Sequence, residues 1–81
     1  MWASQLRGAR AVLRMEQGEL ADRSGVSLAS IKRFEAMKGR IEARTGTVER
    51  LRSALEEAGV QFIPENGGGP GVRLRDRVAG G

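Results

Sequence analysis

The sequence predicts a mainly α fold, with four short helices followed by a short two-stranded β element. Three observations carry that prediction. Apolar residues recur at helical spacing in four stretches before position 59. Residues that start or stop helices, above all Gly25, Ser27 and Gly59, punctuate those stretches. After Gly59 the texture changes to two short β-branched runs around a turn-forming segment, and six of the twelve glycines fall between positions 67 and 81.

The first helix is expected over residues 2–14. Leu6, Ala9 and Leu13 form its inner stripe with Val12 beside them, while Arg7, Arg10 and Arg14 lie off it. Its start is at Ser4, as a cap, or nearer Trp2. Gly8 costs this helix roughly 1 kcal/mol against Ala unless a neighbouring backbone needs the room. A second helix fits 17–24, with Leu20 and Ala21 inward and Gly25 as its stop. Ser27 stands as N-cap to a third helix over 28–36, in which Ile31 and Phe34 point inward. A polar connection carrying Lys38, Arg40 and Arg44 leads to a fourth helix over 48–58, capped by Thr47 and stopped by Gly59. Val48, Leu51, Leu55 and Ala58 are its inner residues. Residues 60–63 and 72–75 then read as strands, the second alternating apolar and basic residues.

Composition narrows the function classes. A chain of 81 residues makes one domain and buries roughly 60% of its surface on folding, a marginal core. It has no Cys for a disulfide or thiolate metal site, and no His to act as general base. The expectation is a binding module with no enzymatic activity, no cofactor and no metal. Of 14 basic residues against 10 acidic ones, all but Lys32 and Lys38 are Arg. Arg binds phosphate oxygens and guanine edges bidentately, which suits nucleic acid, although codons of a genome rich in G and C favour Arg equally well. No apolar run approaches the ~20 residues of a membrane span, so a soluble, cytoplasmic protein with no membrane partner is expected. The leftover length holds no sensor domain, which points to control through abundance or a protein partner.

The most informative stretch is 17–35. A short helix, Gly25, Val26, a Ser27 cap and a second helix make the pattern of the DNA-binding helix-turn-helix. The residues Gln17-Gly-Glu-Leu-Ala21, Gly25-Val-Ser27, Ile31 and Phe34-Glu35 resemble the phage repressor and Cro group, the Xre-type regulators. The resemblance covers residues 5–59 and implies a phage-repressor-like unit whose third helix enters the major groove. It places Leu28, Ala29, Lys32 and Arg33 at base edges, with Arg33 on a guanine and Leu28 or Ala29 on a thymine methyl. It puts Gln17, Ser27, Arg40 and Arg44 at phosphates, and makes Arg10 and Glu35 a structural salt bridge. Two positions depart from the family pattern. Glu16 stands where Ser, Thr or Asn usually caps the second helix. Met37 stands where Gly often follows the third, so Gly39 serves instead and lengthens that helix by a turn.

The expected division is thus a DNA-binding domain at 1–59, a strand–Gly loop–strand tail at 60–75, and a flexible terminus at 76–81. The expected function is sequence-specific regulation of transcription on double-stranded DNA. One recognition helix reads few base pairs, so a homodimer on a near-palindromic operator is expected. The tail is the candidate dimer contact through Val60, Phe62, Val72 and Leu74, either pairing between chains or folding back on its own helices. Two other accounts use the same residues. One is an antitoxin that covers a toxin partner with its tail; the other is a protein-interaction module with the helix pair as scaffold.

Overall fold

The computed structural model describes residues 1–64 and 67–75. The expected flexible terminus at 76–81, and positions 65 and 66 of the turn, lie outside the described residues. Four helices and a two-stranded antiparallel sheet follow in chain order: α1 Ala3–Leu13, α2 Gln17–Ser24, α3 Leu28–Glu35, α4 Thr45–Glu57, β1 Val60–Ile63 and β2 Gly71–Leu74. The mainly α class with C-terminal strands is therefore present.

The start of α1 is nearer Trp2, which occupies the cap position, so Ser4 lies inside the helix. Gln5 reaches back with Oε1 to accept from the Trp2 backbone N–H at 3.0 Å, satisfying one group that the helix start would otherwise leave open. The helix ends on Arg14, whose left-handed backbone (φ 53°) costs a non-glycine residue about 1 kcal/mol. That turn carries Met15 into the core, where it is 5% exposed.

Helix α2 has the predicted bounds and stops on Gly25, also left-handed at φ 75°. Val26 is buried, and Ser27 Oγ accepts from the Ser30 N–H at 3.1 Å, so the N-cap is made as its sequence implies. Helix α3 is not lengthened toward Gly39. It closes on Glu35, and Gly39 takes its left-handed turn (φ 80°) within the following loop. That loop is fastened to the N-terminal segment: Ala3 N–H donates to the Gly39 carbonyl, Ile41 N–H to the Met1 carbonyl, and Trp2 and Arg40 form an isolated bridge. Helix α4 begins three residues earlier than its sequence suggests. Thr47 is not its cap, because the Arg44 carbonyl already accepts from the Thr47 and Val48 N–H groups.

Leu6, Leu20, Ile31, Leu51, Leu55 and Val60 are the largest fully buried side chains. Each contributes about 1.5–3 kcal/mol by leaving water. They come from all four helices and from β1, so the hairpin belongs to the core.

The two strands pair within one chain, in the register Val60↔Leu74, Gln61↔Arg73, Phe62↔Val72 and Ile63↔Gly71. Within this single chain the tail folds back on its own helices. β2 lies along α1, and β1 packs against α4 and α1. The joint with α1 has two devices. Gln5, 5% exposed, donates through Nε2 to the Ile63 carbonyl at 3.3 Å and the Gly71 carbonyl at 3.1 Å. Three residues on, Gly8 leaves room for the Val72 side chain, since a Cβ there would stand 3.2 Å from Val72 Cγ2. The space at Gly8 thus admits a side chain, where the sequence suggested a backbone.

Candidate nucleic-acid interface

Positions 28, 29, 32 and 33 share one face of α3, since residues one and four apart on a helix are neighbours. Ile31, Phe34 and Glu35 hold the opposite face in the core. Leu28, Ala29, Lys32 and Arg33 are all exposed, and among the described residues Leu28 is one of two large apolar side chains left substantially in water, the other being Val12. Lys32 and Arg33 have no ion pair among the described residues. The Arg33 guanidinium lies over the edge of the core at Phe34, 5.1 Å from the ring centroid. Such stacking takes the face of the guanidinium and leaves its N–H donors free.

Behind this face a polar network ties three helices together. Glu35 accepts from Arg10 Nε at 2.5 Å and from Arg10 Nη2 at 2.8 Å, the bidentate geometry that carboxylate and guanidinium favour. Gln17, at the start of α2, adds a third bond from Nε2 to Glu35 Oε1 at 3.1 Å. Arg10 also donates to the Met15 carbonyl, and Arg7 to the backbone carbonyl of Glu35. Burial pushes the Glu35 carboxyl up, but hydrogen bonds from Arg10 and Gln17, and the charges of Arg10 and Arg7, hold its pKa below the ordinary value. The same bond to Glu35 raises Arg10, against its own burial. The expected Arg10–Glu35 salt bridge is thus present in the fold.

The phosphate-contact candidates are placed less uniformly. Gln17 has part of its amide committed to Glu35, which fixes the side chain and leaves one N–H for another acceptor. Glu16 makes no side-chain cap, so among the described residues no side chain covers the open N–H groups at the start of α2. The Ser27 hydroxyl donates to Ser30 Oγ at 2.9 Å while it caps α3. Arg40 stacks over Trp2 at 5.6 Å, away from any carboxylate partner among the described residues, and Arg44 is exposed at the cap position of α4.

The four dimer candidates lie elsewhere. Val60 is buried in its own core, Phe62 and Val72 pack against that core, and Leu74 is half-buried opposite Val60. Val60, Phe62 and Val72 thus pack into the chain's own core. Two side chains that organise the fold escaped the sequence reading, Gln5 and Arg7. The available signal for Gln5 was its spacing from Trp2, where the third helical residue reaches back to the cap. Comparison with family models, with curated proteins and with solved structures gives no match to this chain.

Proposed function

We propose that this protein is a sequence-specific DNA-binding regulator of transcription that inserts α3 into the major groove. The carrying observation is the outward face of α3, where Leu28, Ala29, Lys32 and Arg33 stand exposed and the two cations have no acidic partner among the described residues. A helix with its side chains is about 10–12 Å across, and a major groove about 12 Å wide accepts it. The three-residue connection Gly25-Val26-Ser27, the made cap and the buried Ile31 and Phe34 support a helix-turn-helix reading of α2 and α3. Arg33 is the candidate for a guanine and Leu28 or Ala29 for a thymine methyl. Gln17, Ser27, Arg40 and Arg44 are candidates for phosphates.

Homodimer formation follows from the information argument, since one α3 reads too few base pairs for a useful specificity ratio. Selection of bound duplexes from random DNA at fixed salt tests the whole reading. A recovered motif with two half-sites about 34 Å apart supports it, and no enrichment over the starting pool refutes it.

A further inference from the structure

A cleft of about 490 Å³ opens where the N-terminal segment, the loop after α3, α4 and the hairpin meet. Its walls include the apolar side chains of Trp2, Phe62, Pro64 and Pro70, and two cations, Arg40 and Arg52. The volume falls in the range of small-ligand sites, about 300–1,000 Å³. Each guanidinium is stacked on one of the aromatic walls, Arg40 on Trp2 at 5.6 Å and Arg52 on Phe62 at 5.0 Å. Stacking holds a guanidinium by its face and presents its planar N–H fork at the edge. The Arg40 side chain makes no hydrogen bond or ion pair among the described residues. Arg52 has only loose carboxylate neighbours, Glu49 at 4.0 Å and Glu56 at 3.8 Å. The local field is positive: the Met1 amino group beside the cleft has its pKa lowered by burial first, then by Arg40 and Arg52, with Glu49 opposing.

We propose that this cleft binds a small organic anion, its carboxylate or phosphate held by Arg40 and Arg52 and its flat apolar body by Trp2, Phe62 and the two prolines. Neither half of the lining explains the other alone. Cations alone suit an inorganic ion and need no aromatic walls; aromatic walls alone suit a neutral ligand and need no guanidinium. Because Arg40 is also a candidate phosphate contact, a bound anion would compete with DNA for it. That consequence rests on the proposed DNA function, whereas the ligand site does not.

The test is a ¹⁵N NMR titration of the full chain without DNA. Trp2 is the only Trp and lines the cleft, so its indole N–H gives a single reporter signal. The probes are 2-naphthoate, 2-naphthyl phosphate, the neutral 2-naphthamide and inorganic phosphate. A saturable shift of the indole signal by at least one organic anion is expected, with a dissociation constant of about 1 mM or below. The amide and inorganic phosphate should each bind about tenfold more weakly, and Arg40→Gln or Arg52→Gln should weaken the anion about tenfold. Equal binding of amide and anion, equal binding of inorganic phosphate, or shifts without saturation overturn the proposal. The wild-type probe comparison decides even if a variant loses its fold. Loss of DNA binding elsewhere would leave this result unaffected.

Discussion

Replacing Glu35 by Gln keeps the side-chain shape and removes the charge at the centre of the three-helix network. Gln offers one acceptor oxygen in place of two, and its NH₂ faces an Arg10 donor in either orientation, at the Oε1 position with the Gln17 amide donor as well. Breaking a fully buried pair costs about 3–5 kcal/mol. Glu35 is 8% exposed but Arg10 is 21% exposed, so water recovers part of the loss and about 2 kcal/mol is expected. A domain of this size has roughly 4–12 kcal/mol in all, which makes the loss readily measurable. The Arg7 bond to the Glu35 backbone carbonyl survives the substitution, so the change reports the side chain. The folded-state pKa of Glu35 lies below its unfolded value, so its stabilisation is complete above that unfolded value. It is lost as pH falls through the folded one. Urea unfolding followed by circular dichroism, at pH 7 and in steps from pH 5 down, measures the gap between wild type and variant. The gap should be about 2 kcal/mol at neutral pH and shrink in acid. A gap under about 0.5 kcal/mol at pH 7, or one that does not change with pH, refutes the reasoning.

Three further substitutions probe the fold and the cap. Gln5→Leu leaves the Ile63 and Gly71 carbonyls without their buried donor and should cost about 1–3 kcal/mol; hydrogen exchange should then accelerate in the hairpin more than in α4, and uniform acceleration would contradict the clamp. Gly8→Ala should gain little, because about 1 kcal/mol of helix propensity is opposed by the contact with Val72. In a Val72→Ala background the gain should return, and strict additivity of the two changes would show that the contact carries no energy. Ser27→Ala should cost about 1 kcal/mol by removing the cap of α3; an unchanged unfolding midpoint would mean that the cap is not needed.

The helices were legible where one residue type is required by one backbone geometry. Gly25 at φ 75° and the Ser27 cap bound α2 and α3 on either side of their turn, and the periodicity of Leu20, Ile31 and Phe34 gave the buried side. The start of α4 was misread because Thr47 is a good capper by type, while the accepting group is the Arg44 backbone carbonyl, which every residue has. Four-residue strands can be recognised by pattern, but the pattern does not say what covers them. The covering is written instead on α1, in a Gln and a Gly three residues apart. Gln5 is hidden from any search for apolar core residues, and its acceptors are backbone carbonyls 58 and 66 positions away. Arg10 and Glu35 entered through the family resemblance, since nothing in the spacing of two charges on separate helices pairs them. The cleft beside Trp2 is a product of four segments meeting and has no local sequence signature.

The central claim is that the exposed face of α3 reads DNA, and fluorescence anisotropy with Arg33→Ala tests it most directly. Wild type and variant are titrated against the selected duplex and against duplexes altered one base pair at a time, at two salt concentrations. The account predicts salt-dependent binding by both proteins, with the variant losing about 1–3 kcal/mol of discrimination at one base pair. Absence of salt-dependent binding by the wild type, or equal discrimination by both proteins at every position, would contradict it.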